Sequence, residues 1–419
     1  MKSSESSLCA AARPAVAVAR WPWALAWRRL PLVLALVLLL PSATGSVSAD
    51  WVRDPGFNPD GVGANGGVLA MIRQADDRLL IAGNFSTYNG SPQVRIARLN
   101  ADGSLDASFD AGSGVNGTVN VIALQPDGRI LLGGAFSQVD GTSRQRIARL
   151  NANGSLDSGF DPGANGFSAQ VRAIAVQADG RLLVGGDFSA YNSVPVGRIT
   201  RLNGNGSLDA SFDAGTGAGA SVHAVSVQAD GRILIGGAFT SINDTARYRI
   251  ARLHANGSLD SSFDPGSGLG GTVQAIALQA DGRILVGGQF TTPHNRITRL
   301  NGNGSLDSTF VPGTAANGIV RIVAIQPDGR VLIGGDFSQV AGQWHRGVAR
   351  LNADGSRDPS FTFGGSGAGP AGAVYGMAAQ TSGRIAIAGV FSSFSGGQAG
   401  NVARLVSDGV FADRFQPEQ

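Results

Sequence analysis

The sequence repeats one unit of about 50 residues seven times, and this repeat limits the chain to few architectures. Each unit contains a segment resembling R-I-L-x-G-G-x-F, and its closing phenylalanines are 51, 52, 51, 51, 47 and 54 residues apart. They are Phe85, Phe136, Phe188, Phe239, Phe290, Phe337 and Phe391. Short β-patterned segments repeated at this period are typical of propellers and solenoids.

Each unit predicts four short strands. A V-x-A-I-A-x-Q segment, as at residues 171–177, is followed by an Asp-Gly hairpin turn and a strand that carries a glycine doublet, such as Gly236-Gly237. The third strand is R-I-[AT]-R-L, and an Asn-Gly or Asp-Gly turn leads to the brief fourth, S-L-D-x-S-F. The doublet indicates close approach of another backbone. The pattern therefore predicts an all-β, seven-bladed β-propeller of four-stranded antiparallel blades.

Residues 1–49 read as a signal peptide. Arg28 and Arg29 belong to a basic region, an 11-residue apolar run follows at 30–40, and Val47-Ser48-Ala49 fits a cleavage site. The run is shorter than the roughly 20 residues that span a bilayer, although an uncleaved anchor is the alternative. We therefore expect an exported protein, periplasmic or extracellular at the cell surface, with no membrane span after cleavage.

The domain organisation that follows is a signal peptide at 1–49, an N-terminal segment at 50–66 and a seven-repeat propeller at 67–419. The segment holds an eighth copy of the fourth-strand motif, at residues 54–59, whereas the last copy, at 410–415, is degraded and carries Ala412. We expect the N-terminal copy to pair with the last blade and close the ring, because closure removes exposed sheet edges.

Charge and cysteine content exclude several classes of function. The leader holds five of the 33 basic and one of the 30 acidic residues, which leaves 28 basic and 29 acidic residues in the mature chain. Such a balance gives no reason to expect nucleic-acid binding. Cys9 is the only cysteine and lies in the leader. The mature chain therefore has no disulfide, thiolate nucleophile or cysteine metal site.

The unit resembles a known family. The stretch L-N-A-D-G-S-L-D-A-S-F-D-A-G, at residues 99–112, and the strands that follow it are similar to the bacterial delta-60 repeat. The similarity covers residues 51–419, departing at residues 381–383, Val311 and Arg357. The glycine doublet is more distantly similar to kelch propellers. This resemblance implies a propeller module of unknown function, common in large exported proteins, and it implies no catalytic residues.

One arginine and one aspartate recur in almost every unit. A ligand clamp is possible, but a feature repeated around the periphery is better explained as a bidentate ion pair that joins outer strands. The pairs are Arg98 and Asp106, Arg149 and Asp157, Arg201 and Asp209, Arg252 and Asp260, and Arg299 and Asp307, with further copies at Arg350 and Asp358 and at Arg404.

The variable loops are predicted to share one face. The first-to-second and third-to-fourth turns are uniform, whereas the second-to-third loops and the linkers between units differ. Function tends to reside on loops that a rigid scaffold presents. We expect a non-enzymatic scaffold, a monomer, that binds an unknown protein or glycan on this face. The loop aromatics Tyr88, Tyr191, Tyr248 and Trp344 are the candidate contacts.

Two alternatives remain open. A polysaccharide-acting hydrolase or lyase would need acids at the mouth of the central channel, and Asp187, Asp244 and Asp336 are the first candidates. A purely structural surface module is the other alternative. The Asx-rich turn at 100–106 lacks the EF-hand spacing, so a turn is favoured over a calcium site. His223, His254, His294 and His345 show no metal spacing and are predicted surface or loop residues. No cofactor is expected.

Overall fold

The protein is described from a computed structural model, which defines residues 50–59, 61–363 and 368–407. The predicted signal peptide at 1–49 and the degraded motif at 410–415 lie outside these residues. All the regular secondary structure in the described part of the chain consists of β-strands. No helix in these ranges is long and apolar enough to cross a membrane.

Each repeat folds into one antiparallel sheet whose first strand lines the centre of the ring. These inner strands are Val68–Arg73, Thr118–Leu124, Val171–Val176, Val222–Val227, Val273–Leu278, Val320–Ile325 and Pro370–Ala379. The second strands are Leu79–Gly83, Ile130–Ala135, Leu182–Gly186, Ile233–Gly237, Ile284–Gly288, Val331–Gly335 and Ile385–Phe394. The third strands are Ile96–Leu99, Ile147–Leu150, Ile199–Leu202, Ile250–Leu253, Ile297–Leu300, Val348–Leu351 and Val402–Ser407.

The outer edge of each blade is held by the S-L-D segment. In blades 1 to 6 this fourth segment joins the third strand through a single β-bridge, such as Leu99 with Leu105 and Leu150 with Leu156. A short edge that carries a charge limits pairing with other chains. The seven-bladed, all-β propeller predicted from the repeat is confirmed.

The N-terminal segment supplies the outer edge of blade 7. Trp51–Arg53 pairs antiparallel with Val402–Ser407, so the beginning of the ring is hydrogen-bonded to its end. Asp54 follows, and its carboxylate accepts from the Nε of Arg404 at 2.9 Å. Phe57 is buried beneath the Arg404 guanidinium, and the Arg404 Cζ lies 4.9 Å from the centroid of the Phe57 ring. This segment therefore replaces the acid and the aromatic ring that every other blade obtains from its own repeat.

The second glycine of each doublet lies against backbone. A Cβ added to Gly237 would overlap the carbonyl oxygen of Ser221, and one added to Gly335 would overlap that of Ile319. Both carbonyls belong to the residue just before the inner strand of the same blade. The close approach expected from the doublet is therefore found, between the second strand and the start of the first.

Small hairpins lie on the variable face, which carries the second-to-third loops and the linkers between blades. They pair Thr87–Tyr88 with Ser91–Pro92, Gln138–Val139 with Thr142–Ser143, Ala190–Tyr191 with Val194–Pro195, Ser241–Ile242 with Thr245–Ala246, and Gln339–Val340 with Gln343–Trp344. In blade 7, Gly397–Gln398 pairs with the end of the long second strand. Blade 5 has no such hairpin among the described residues, and its Phe-to-Phe spacing is the 47-residue one.

Candidate functional site at the channel mouth

A β-bulge interrupts the inner strand of every blade at the same position. The register with the second strand shifts between Val171 and Ala173, between Val222 and Ala224, and at the matching place in the other five blades. A bulge leaves one residue outside the regular ladder and redirects its side chain. Because the bulges follow the linkers directly, all seven redirected residues lie near the variable-loop face.

The seven bulged residues line one cavity of about 450 Å³ at the centre of the ring. Aliphatic residues of blades 1, 2 and 6 also line it, but among the seven bulged residues only that of blade 1 is aliphatic. We call the set the channel ring: Leu69, Asn120, Arg172, His223, Gln274, Arg321 and Tyr375. All seven side chains are half-buried. The preceding valine is fully buried in every blade, so the fold repeats while the lining residue changes.

Arg172 and Asp187 form a two-point ion pair at the mouth. Nε and Nη2 of Arg172 donate to the two carboxylate oxygens at 2.6 and 2.8 Å, and Gln170 donates to the same carboxylate at 2.7 Å. Burial alone would raise the pKa of Asp187, but Arg172 and the Ser221 hydroxyl outweigh it and lower the pKa to about 2. A carboxylate held in this state is a poor proton donor or acceptor at neutral pH.

Blade 6 repeats this arrangement. Nε and Nη2 of Arg321 donate to the Asp336 oxygens at 2.7 and 2.5 Å, and the guanidinium lies 4.6 Å from the ring centroid of Tyr375. Both arginines of the channel ring are thus neutralised by a partner. The two aspartates hold the arginines from outside the cavity lining, and the third acid considered for catalysis, Asp244, does not line the cavity either. It is exposed in the hairpin turn of blade 4.

The polar residues between the two ion pairs contact one another. His223 Nδ1 lies 3.3 Å from Oε1 of Gln274. Burial, with the charge of Arg172, lowers the pKa of His223, so its imidazole is neutral at pH 7. Asn120 donates to Oε1 of Gln170 and to the carbonyl of Val171, both at 3.1 Å. The mouth therefore presents neutral groups that both donate and accept hydrogen bonds.

The repeated arginines and aspartates form a structural ring away from this site. In blades 1 to 5, each Nε donates to one carboxylate oxygen at 2.6 to 2.7 Å, so the contact there is not the expected bidentate one. The Nη1 group donates instead to a turn carbonyl of the next blade, as Arg98 does to Ala152 and Arg201 to Ala255, both at 2.6 Å. Each arginine therefore joins two strands of one blade to the neighbouring blade.

The aspartates of these pairs stay ionised. Asp260, which is 2% exposed, shows why. Burial alone would raise its pKa, but the opposing effect of the Ser262 hydroxyl and the Arg252 guanidinium is larger and lowers the pKa to about 2. Arg252 also covers the ring of Phe263, with 5.0 Å to the centroid. The side chains are enclosed by the blade itself, which supports the structural reading of these pairs.

Two of the four aromatic candidates are wrong as ligand contacts. Tyr88 is fully buried and its hydroxyl donates to the carbonyl of Gly103 at 2.7 Å. Tyr191, 1% exposed, makes the same contact with Gly206. Both tyrosines point into their own blades because the hairpin position they occupy is a core position. Tyr248 and Trp344 are 45% and 49% exposed and remain candidate contacts.

His345 is likewise not a surface residue. It is 1% exposed in the blade 6 hairpin, and its Nδ1 has no hydrogen-bond partner among the described residues. Burial, reinforced by the nearby charge of Arg357, lowers its pKa from 6.5 to about 4. His223, in the channel, also departs from the surface expectation.

A pH-dependent loss of stability is expected from His345. Below pH 6.5 the unfolded chain takes up a proton that the folded protein accepts only near pH 4. The free energy of unfolding should therefore fall by about 2 kcal/mol between pH 6 and pH 4.5 from this residue alone. His345→Val, which copies Val196 of blade 3, should remove that part of the slope in urea titrations. An unchanged slope would contradict the assignment.

The repeat itself carried a signal for the channel ring. In the motif V-x-A-I-A-x-Q, the residue after the valine varies between units: Leu, Asn, Arg, His, Gln, Arg and Tyr. Only the arginine occurs twice. Variation at one position inside a repeated strand marks a place where packing does not dictate the residue. The bulge that turns this position into the channel could not be predicted from the pattern of apolar residues.

Solved propellers of known fold are similar to this chain. The WD40 β-propeller domain of Doa1 is 16% identical, with a TM-score of 0.52, over 82% of this chain and 93% of that one. The extracellular domain of the putative hybrid two-component system BT3049 from B. thetaiotaomicron is 14% identical, with a TM-score of 0.50. The match covers 82% of this chain and 40% of that chain. At these identities the likeness concerns the fold alone.

Family comparison identifies the repeat itself. No curated protein matches the chain. A family model described as a domain of unknown function (DUF5122) beta-propeller matches it seven times, at residues 74–109, 125–160, 177–212, 228–263, 279–310, 326–361 and 380–411. The matches begin near the end of each inner strand and run through the fourth segment. Since they cover more than half of the 419 residues, the chain belongs to the DUF5122 beta-propeller family.

Proposed function

We propose that this protein is a non-enzymatic binding protein that holds a neutral, hydroxyl-rich ligand, a sugar residue of a glycan, at the mouth of its central channel. The carrying observation is the channel ring: seven bulges aim seven side chains, six of them polar, into one cavity of about 450 Å³. Cavities of this size with a few convergent polar groups suit small-molecule ligands.

The charges at the mouth favour a neutral ligand. Arg172 and Arg321 each lie in a two-point pair with an aspartate, and His223 is neutral at pH 7. The amides of Asn120 and Gln274 add groups that donate and accept, which is what adjacent sugar hydroxyls require. The Tyr375 ring lies at the same mouth. Exposed Tyr248 and Trp344 extend the proposed surface over the variable face.

The proposal favours binding over catalysis because the acids at the mouth are committed to arginines. A glycosidase uses one carboxyl group with a raised pKa as its general acid. Asp187 has the opposite shift. The proposal also places the protein outside the cytoplasm, on the basis of the leader pattern at 1–49.

A pair of leucine substitutions tests the proposal. Blade 1 already carries Leu69 at the bulged position, so leucine fits there. We expect the double variant His223→Leu/Gln274→Leu to lose at least about tenfold in affinity for a saccharide found in a glycan screen, because two hydrogen-bonding groups are removed. Calorimetric titration measures this loss.

The matched control is Gln138→Leu, an exposed hairpin position in blade 2, which should bind like the parent. Equal affinity of the double variant and the parent would contradict binding at the channel mouth. Hydrolysis or elimination products from a polysaccharide would contradict the non-enzymatic assignment.

A further inference from the structure

A cleft opens in blade 6 between the hairpin of that blade and the end of its fourth segment. It has a volume of about 280 Å³ and is lined by residues 343–345, Arg357, Pro359 and residues 362–363, a set we call the blade 6 cleft. None of these residues lines the cavity at the channel mouth. The blade 6 cleft is therefore a second cavity, separate from the channel ring.

Blade 3 has a cleft at the equivalent place, and it shows what the ordinary repeat builds there. Its volume is about 250 Å³, and its lining is apolar apart from Thr200, Asp209 and Asp213. Aligned on the repeat, five of its residues are replaced in blade 6: Pro195 by Trp344, Val196 by His345, Leu208 by Arg357, Asp213 by Thr362 and Ala214 by Phe363. The same scaffold thus holds a largely apolar cleft in one blade and a polar, aromatic one in the other.

Two of the replacements make the blade 6 cleft cationic. Leucine occupies the Arg357 position in blades 1 to 5, and Thr362 replaces the aspartate of blades 1 to 4. The lining holds no carboxylate, and Asp50, which accepts from the Thr362 hydroxyl, lies outside it. On the adjacent strand Arg350 pairs with Asp358 at 2.7 Å, but no hydrogen bond or ion pair engages the Arg357 guanidinium within the described residues. Arg357 is therefore a cation without a counter-ion in this part of the chain.

Two aromatic rings line the same cleft. Phe363 packs edge-on against Phe361 and Phe394, with ring centroids 5.2 and 5.5 Å apart, and forms a fixed apolar wall. Trp344 is 49% exposed, so its indole ring is open to a ligand. His345 adds a buried polar group whose Nδ1 has no partner among the described residues. The lining therefore combines an exposed aromatic ring, an unpaired cation and a polar group.

This combination suits a sugar that carries a carboxylate. The apolar face of a pyranose ring packs on an aromatic side chain, and a guanidinium binds a carboxylate through two parallel hydrogen bonds. A single cation matches a monoanion. A phosphate ester, with a charge of about −1.5 to −2, would be left partly uncompensated.

We propose that the blade 6 cleft binds a hexuronate residue of an acidic glycan. The hexuronate carboxylate accepts from Arg357, the pyranose ring packs on Trp344, and the ring hydroxyls meet the exposed amide of Gln343. The cleft is at the small end of ligand cavities, so it takes a single sugar residue. This site goes beyond the function proposed for the channel mouth and does not depend on it.

Replacing Arg357 with the leucine of blades 1 to 5 is the sharpest test. Methyl glycosides of glucuronic and galacturonic acid are titrated into the full chain by ligand-observed NMR, and methyl glucoside serves as the neutral probe. We expect at least one hexuronate to bind and Arg357→Leu to reduce its affinity at least about tenfold, because the charged hydrogen bonds are lost. The substitution should not lower the unfolding temperature, since leucine fits this position in the other blades.

Arg144→Leu, which removes an arginine beside the blade 2 hairpin, is the matched control and should bind the hexuronate like the parent. Equal hexuronate affinity of the parent and Arg357→Leu would overturn the proposal, as would failure of both hexuronates to bind the parent. An equal loss of affinity for methyl glucoside, or tighter binding of a sulfated glucose, would overturn the carboxylate assignment. The double variant His223→Leu/Gln274→Leu should retain hexuronate binding, so the two sites can fail independently.

Discussion

Removal of residues 50–58 is expected to lower the unfolding temperature by more than about 10 °C. The deletion takes away Trp51 and Phe57, both buried, and losing an aromatic core residue costs about 3–5 kcal/mol. It also leaves Arg404, 5% exposed, without the Asp54 carboxylate. An unpaired buried charge costs a similar amount. The total loss should be on the order of 10 kcal/mol.

Calorimetry of the deleted and parent chains measures this effect. Val62→Ala is the control, because that side chain follows the segment but is 55% exposed. The substitution Asp54→Asn isolates the ion pair and should account for a part of the loss. A deleted chain that melts at the parental temperature would show that the strand pairing at Trp51–Arg53 does not hold the ring together.

The second large effect is expected from Gly335→Ala. A Cβ at this residue would overlap the backbone carbonyl of Ile319, which cannot move without separating two strands of blade 6. We expect a loss of about 3–5 kcal/mol in the free energy of unfolding, measured by urea titration.

The adjacent residue, Gly334, supplies the matched control. Its added Cβ would meet the side-chain atoms of Ile322, Val374 and Met377, and these can adjust. Blades 1 and 7 carry alanine at this position, as Ala82 and Ala388. Gly334→Ala should therefore cost clearly less than Gly335→Ala. Equal losses for the two variants would contradict the role given to the carbonyl contact.

The framework of the molecule could be predicted because its chemistry is local and repeated. Asp-Gly turns fix the hairpins. The glycine doublet predicts a close contact with another backbone segment, which the alternation of apolar and polar residues alone does not show. The burial of Tyr88 and Tyr191 could also have been predicted from the repeat. They share a hairpin position with Val139, Ile242, Val340 and Phe394, which is a pattern of core residues.

The candidate sites could not be predicted in this way because they depend on departures from the repeat. The channel ring needs the bulge, which arises from the fit between two strands and leaves no mark in apolar periodicity. Similarly, the burial of His345 follows from how its hairpin packs and not from its neighbours in sequence.

The bulges have a consequence for how a family of such chains can diversify. A bulged residue takes no part in the regular ladder, so a substitution there leaves the strand pairing of its blade intact. Copies of one duplicated unit can therefore acquire different lining residues one blade at a time, while the rest of each unit stays under the same packing constraint. Two chains with nearly identical repeats can then recognise different ligands, and their selectivity should be compared at seven positions and not over the whole sequence.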